Sequence, residues 1–344
     1  MKHYDVVIIG AGPAGCSAAI SCAQHGLKVA LVERLAFPRQ RPGETLHPGI
    51  EPLLRQLGVA GKVLDGPFIR HTGTWVKWET KRCFVPFGED HNGPWQGFQI
   101  PRVMLDGFLL DKAIASGVHA LQPCNAKQLL VEKNRVVGVR TQTEQLLCRH
   151  LIDASGAHGW LARQLGLVSH RRSPALTALY GYKRGSVEED ALGIFADRQG
   201  WYWTAHIEHE LYHWTRLYFG QNHAPKASAI PASLEQLPCI GRIQGADVTW
   251  RICDQTAGNG YLIIGDAASV LDPGASHGVL KALMSGIMAA QCIVDETAIA
   301  AHSRDISRHY HQWLREGFES DVRKMLELYA AHPFPPQWLD KHWR

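Results

Sequence analysis

A short β-branched strand that runs through three spaced glycines into a helix constrains this chain more than any other feature. Tyr4 to Ile9 is apolar and extended in character, Gly10, Gly12 and Gly15 follow in the order G-x-G-x-x-G, and Ala14 to His25 carries small and apolar residues at helical spacing until Gly26 stops it. Lys28 to Glu33 is then a second strand. A strand, tight turn, helix and strand within about thirty residues is the unit of a parallel sheet with a right-handed crossover.

Each glycine has its own duty in that unit. Gly10 makes the tight turn, Gly12 lets backbone approach a pyrophosphate, and Gly15 lets the helix pack close to the strand. The helix then offers its first N–H groups and the positive end of its dipole to the phosphates. Glu33 closes the second strand at the spacing of a ribose hydroxyl ligand. The expectation is a dinucleotide site built from Gly10, Gly12, Pro13, Ala14, Gly15, Glu33 and Arg34.

With 344 residues the chain is long enough for two globular units, and 45% hydrophobic with 20% charged residues is an ordinary balance for a folded domain. A net charge of +4, dispersed along the sequence, does not announce a nucleic-acid binder. The eight cysteines show no zinc spacing, and Cys16, Cys22 and Cys292 lie in apolar surroundings, so free thiols in a reducing cytoplasm and no metal site are expected. The first apolar run, Val6 to Ile9, is too short to span a bilayer, and no other stretch is expected to do so.

Further along, Arg34 to Pro48 is rich in Pro, Gly and Arg and is expected as an ordered loop, with a helix from Ile50 to Leu57. Thr72 to Val85 alternates like a hairpin of another sheet. Arg102 to Ser116 is expected as an amphipathic helix with Val103, Met104, Phe108, Leu109 and Ala113 on its apolar side. Three strands follow as a meander, Lys127 to Glu132, Val136 to Thr141 and Gln145 to Ile152, ending at Asp153. From about Leu176 to Trp250 the aromatic, alternating stretches Trp201 to Ile207 and Leu211 to Tyr218 predict a second, antiparallel sheet. Tyr261 to Ile264 is a buried strand, Gly278 to Cys292 an apolar helix, and Ser303 to Tyr329 a charged helix whose Trp313, Leu314 and Phe318 pack back. The dinucleotide domain is therefore expected to be discontinuous, 1–70, 100–170 and 255–300, with a substrate domain of 71–99 and 171–254 inserted and a helical segment at 301–344.

Two downstream motifs choose among dinucleotides. Tyr261-Leu-Ile-Ile-Gly-Asp-Ala-Ala, with Gly265 and Asp266, resembles the second FAD signature of flavoproteins of the glutathione-reductase and p-hydroxybenzoate-hydroxylase type. Asp272-Pro-Gly274 through Gly278 resembles that family's flavin-facing loop and helix start, where backbone amides and the helix dipole meet the ring. Leu151-Ile-Asp-Ala-Ser-Gly156 is similar to its strand-end motif, and Arg102 to the arginine heading the helix that reaches the FAD phosphates. Arg41-Pro-Gly-Glu-Thr-Leu-His-Pro-Gly49 and Gly200-Trp-Tyr-Trp203 resemble segments of tryptophan halogenases, geranylgeranyl-reductase-like enzymes and the flavoproteins of tryptophylquinone cofactor maturation, the last taken as the nearest.

The resemblance implies a Rossmann-type, glutathione-reductase-like α/β domain that binds FAD, with Arg41, Arg102, Asp153, Ser155, Gly156, Gly265, Asp266, Gly274 and Gly278 added to its ligands. It implies a monooxygenase that hydroxylates an aromatic small molecule or a tryptophan within a peptide or protein, reduced by NAD(P)H or by a flavin reductase. His47, His277 and Pro273 would stand at the flavin, and the alternating pairs Trp201 with Trp203 and Trp75 with Trp78 would stack on substrate. Halogenases also need a lysine beside a tunnel; Lys77 is a poor match and is expected to be a solvated strand residue, which ranks halogenation below hydroxylation, with a saturating reductase as the other alternative among enzymes. A protein that holds a maturation target, with FAD chiefly structural, is the alternative outside enzymes.

Overall fold

The computed structural model describes residues 2–78, 81–220, 229–298 and 303–339. Its helices are α1 (Pro13–Gln24), α2 (Ile50–Gln56), α3 (Ala60–Leu64), α4 (Arg102–Ala115), α5 (Trp160–Leu165), α6 (Gly278–Ala298) and α7 (Ser303–Ala330). Residues 299–302 and 340–344, within the expected C-terminal units, and residues 79–80 of the expected hairpin lie outside the described residues.

The main sheet is assembled from distant parts of the sequence. Its strands run in the spatial order His119–Leu121, Val29–Val32, Lys2–Ile9, Gln145–Asp153, Arg135–Thr141 and Ala126–Glu132, with Tyr261–Ile263 joined to Gln145–Asp153. Lys2–Ile9 is parallel to both of its neighbours, so Ile9 stands opposite Val32 and Asp153, and Asp153 stands opposite Ile263. One register therefore gathers the residues after four carboxyl ends, Gly10, Glu33, Ala154 and Gly265, at one edge of the sheet, where α/β folds bind ligands. Val6, Val7 and Ile8 have no exposure, as strands covered on both faces demand.

The three-strand meander, the hairpin Gly73–Lys77 with Cys83–Pro86, and both aromatic strands form as the patterns predict. The second sheet has the order Cys239–Asp247, Thr177–Arg184, Leu211–Tyr218, Gly200–Glu208, Gly193–Asp197, Gly73–Lys77, Cys83–Pro86. It departs from the antiparallel expectation at one place, since Gly193–Asp197 runs parallel to Gly73–Lys77.

Three further expectations are corrected. The loop 34–48 contains a short strand, Thr45–Leu46, which pairs with Gly97–Gln99. The buried face of α4 is Leu105, Asp106, Leu109, Leu110 and Ala113, whereas Met104 is exposed, because the helix turns an acid, and not Met104, toward two arginines. Finally, Gly278–Glu296 in α6 is long and apolar enough to cross a membrane by length and composition. In this fold α6 lies against α1, and a Cβ on Gly286 would stand 2.1 Å from Ser17 Oγ and 2.4 Å from Ala14 O, so the face that carries Gly286 serves helix packing. Of the eight cysteines, all free, Cys83 and Cys239 are exposed.

Candidate functional site

The glycine turn is built tight on two sides and open on the third. Gly10 has φ +104°, and a Cβ there would lie 2.3 Å from Ala154 O. A Cβ on Gly15 would lie 1.8 Å from Gly10 O. Around Gly12 the nearest atom is Arg39 Nη2 at 3.7 Å. α1 begins there with Pro13 at its first turn and no side-chain cap, so its leading N–H groups face outward. Glu33, 7% exposed, accepts from the Ala11 N–H and from the Leu35 N–H, both at 2.9 Å, which fixes the turn while leaving acceptor capacity on the carboxylate.

Of the three arginines singled out in the sequence, Arg34 and Arg41 are exposed, whereas the Arg102 side chain is only 11% exposed and reaches into the site. The residue sequence reasoning missed is Arg39. Its Nη2 donates to Ala11 O at 3.3 Å, its Nη1 lies 3.2 Å from Asp106 Oδ2, and its buried Nε has no partner among the described residues. Asp106 also receives Arg102 Nε at 2.9 Å, and Arg102 Nη1 donates to Pro42 O at 2.8 Å. One fully buried carboxylate thus holds two guanidiniums, and the surplus positive charge beside Gly12 suits a pyrophosphate. The acid one turn after Arg102 was the available signal.

The remaining candidates line the same edge in different capacities. Asp153, with no exposure, accepts from the Ser155 N–H (2.9 Å) and the Leu161 N–H (2.8 Å), so both oxygens are engaged in holding the turn that carries Ser155 and Gly156. Ser155 Oγ in turn accepts from the Trp160 N–H. Gly265, at φ +57°, brings its backbone against Ala14, where a Cβ would approach the Ala14 methyl to 2.9 Å. Asp266 beside it is exposed and faces the charges of Arg102, Arg251 and Lys281.

The loop 41–49 and the start of α6 pack on each other. A Cβ on Gly43 would lie 3.0 Å from Arg102 Nη1 and 3.8 Å from Val279, and one on Gly49 3.7 Å from Leu280. This contact brings His47 and His277 edge to face, ring centres 4.7 Å apart. Burial, aided by His47 and Lys281, pushes the His277 imidazole down to about 4, and burial lowers His47 as well, so both rings are neutral at pH 7. Pro273 and Gly274 precede His277 on the same loop, and Trp201 Cζ2 of the second sheet lies 3.5 Å from the place a Gly274 Cβ would take; Gly278 opens onto free space.

The four tryptophans do not form two equivalent pairs. Trp201 is 2% exposed, and Trp203, two residues on, packs against the same core. Trp75 and Trp78 are three residues apart and Trp78 lies beyond the strand, so they cannot share a face. Trp75 is exposed against Phe84 and the Arg82 guanidinium, while Trp78 meets His332. A contact that no sequence pattern pointed to joins the second sheet to the loop 41–49: the half-buried Tyr182 donates to the buried Glu44 Oε1 at 2.5 Å. Lys77 is exposed, as expected. Among the described residues no three His, Cys, Asp or Glu side chains gather as a metal site.

Comparison with known proteins adds the following. A model described as "FAD binding domain" matches residues 3–290. The chain is 30% identical over 332 residues to 1H-pyrrole-2-carbonyl-(peptidyl-carrier protein) brominase of Pseudoalteromonas luteoviolacea, covering 85% of this chain and 77% of that protein. It is 25% identical over 343 residues to digeranylgeranylglycerophospholipid reductase 2 of Methanopyrus kandleri, covering 91% and 83%. Among solved structures, the myxobacterial chondrochloren halogenase superimposes with a TM-score of 0.86 at 23% identity, over 96% of this chain and 83% of that one. A geranylgeranyl bacteriochlorophyll reductase-like protein of Thermoplasma acidophilum gives 0.81 at 21%, over 99% and 90%. These last two are likenesses of fold.

Proposed function

The chain belongs to the FAD-binding-domain family, within the superfamily of flavin-dependent oxidoreductases and halogenases, and from that premise we propose that it halogenates an electron-rich aromatic substrate. It is an FAD-dependent enzyme of the halogenase and reductase group. The observation that carries the finer reading is the 30% identity, spread over 85% of the chain, to a brominase whose named substrate is a pyrrole on a carrier protein. Halogenation accordingly moves ahead of the hydroxylation favoured by the motifs alone, and nearness to tryptophylquinone-maturation flavoproteins has no support from the relatives named above.

The residues present fit FAD. The open side of Gly12, the free N–H groups of α1 and the unpartnered Arg39 Nε suit its pyrophosphate, and Glu33 suits a ribose hydroxyl. Arg102, Asp266 and the segment from Gly274 to Gly278 would hold the ribityl chain and ring. When bound, the flavin, reduced by NAD(P)H or by a separate flavin reductase, supplies the electrons that activate oxygen. The chain's own part is to exclude water, to offer neutral His47 and His277 as proton acceptors, and to present the substrate from the side of Trp201 and Trp203. A reducing cytoplasm, inferred from eight free thiols, belongs to the same proposal.

Hydroxylation of such a substrate is the second reading, and the exposure of Lys77 favours it, since a solvated amine cannot carry a halogen shielded from water. Purified protein supplied with FAD, NAD(P)H, a flavin reductase and bromide, with and without oxygen, and offered pyrrole-2-carbonyl thioester, tryptophan peptides and an unsaturated isoprenoid, decides by product mass. A bromide-dependent mass gain is expected. A gain of one oxygen without halide selects hydroxylation, and oxygen-independent gain of hydrogen on an isoprenoid substrate selects reduction. A colourless protein that takes up no FAD would sink every version.

A further inference from the structure

We propose that Tyr329, near the end of α7, is a positioning residue for the flavin-facing loop and acts on it through Asp272. The inference rests on the FAD reading of the site. Asp272 is 2% exposed and accepts from donors on three separate parts of the fold: Trp250 Nε1 at 2.6 Å and Tyr329 Oη at 2.7 Å on Oδ2, and the Gly274 N–H at 2.9 Å on Oδ1. Tyr329 has no exposure, and its hydroxyl, while donating to Asp272, accepts from Trp201 Nε1 at 3.0 Å.

A carboxylate taken out of water is held in place by the donors that replace the water, and here those donors fix Asp272 from three directions. The loop it heads is short and bent. Gly274 follows two residues later, Ser276 adopts φ +51°, and His277 and Gly278 open α6 toward the ring site. α7 touches this loop again one turn earlier, where Met325 Cε lies 3.4 Å from the place of a Gly274 Cβ. Groups that meet a cofactor need a supporting layer that locks them, and α7 with Trp201 supplies it. The sequence presents α7 only as a charged helix that packs back through Trp313, Leu314 and Phe318, and none of those three takes part.

Tyr329→Phe removes the O–H and keeps the ring against Phe219 and Trp338. FAD titration, the visible flavin spectrum and the melting temperature of the FAD-free protein are measured together. The expected result is a roughly tenfold weaker FAD affinity, the scale of one hydrogen bond to a charged group, and a changed ring absorbance band, with a small change in melting of the FAD-free form. Asp272→Asn should do the same, and the double variant should be no worse than Asp272→Asn alone, because the two act in series. Trp201→Phe, which spares the Tyr329 to Asp272 bond, should shift the spectrum less in the same direction, and it serves if Tyr329→Phe does not fold. Wild-type affinity and spectrum in Tyr329→Phe, or fully additive losses in the double variant, overturn the proposal while leaving the FAD site intact. Failure of the unaltered protein to bind FAD sinks the site reading and this proposal with it.

Discussion

Gly12 and Gly15 stand three residues apart in one turn, yet substituting them should have opposite consequences. A methyl at Gly15 would meet backbone at 1.8 Å, and the helix would have to move off the strand; Gly15→Ala should cost about 1–3 kcal/mol of stability or more, read as a lowered melting temperature. A methyl at Gly12 meets only an arginine tip at 3.7 Å. Gly12→Ala should therefore melt like the unaltered chain and still lose FAD affinity by at least roughly tenfold, because the methyl occupies the space a pyrophosphate needs. Equal melting losses in both variants would contradict this. Histidines give a second residue-level test. Burial leads the causes that push His71, His150 and His277 down to about 4, whereas a histidine in the unfolded chain takes a proton near 6.5. Between those values the unfolded state binds more protons, so stability should fall as the pH drops from about 6.5 toward 4. Asp153 and Asp272, raised chiefly by burial, act with the opposite sign. Melting curves of the triple His→Gln variant should lose part of the acid slope, and an unchanged slope would remove the histidines from the account.

At the scale of elements, strands and helices were legible where the partners they pack on lie close in the sequence. The opening unit and the meander follow their patterns, since neighbours in sequence are also neighbours in space. The failures have a common physical cause, a partner far away in the chain. The buried face of α4 looked like an ordinary apolar stripe, but it carries Asp106 because Arg39, in a loop with no period, needs a counter-charge there. Tyr329 could not be tied to Asp272, 57 residues before it, by any local signal. Replacing Asp106 tests the α4 account. Asp106→Asn leaves two buried guanidiniums facing each other, which should cost on the order of 3–5 kcal/mol and free Arg39 from the glycine turn, so chemical denaturation and FAD titration should both worsen. A stable Asp106→Asn protein that binds FAD normally would show that Arg39 holds its place without help.

For the whole molecule, the question is how the sheet that carries the dinucleotide site and the second sheet, proposed to face the substrate, keep one geometry. Apart from Tyr329 and Asp272, they are tied by Tyr182, on the strand Thr177–Arg184, and Glu44, in the loop 41–49. Glu44 is 4% exposed and takes one further bond from the Gly43 N–H at 2.8 Å. Burial and the neighbouring Glu44 carboxylate push the Tyr182 hydroxyl far above its ordinary range, so it remains the donor from neutral to mildly alkaline pH. Tyr182→Phe deletes that donor and leaves a buried carboxylate short of a partner, a loss of roughly 1.5–3 kcal/mol. If the bond sets how the sheets meet, this variant should bind FAD with little change but turn over substrate more slowly, because the loop that seats the ring keeps Arg102 and α6 while the substrate face shifts. The deficit should be the same from pH 6 to 9, in contrast to any defect routed through His47 or His277. A Tyr182→Phe enzyme with full turnover and only a lower melting temperature would reduce this bond to ordinary packing.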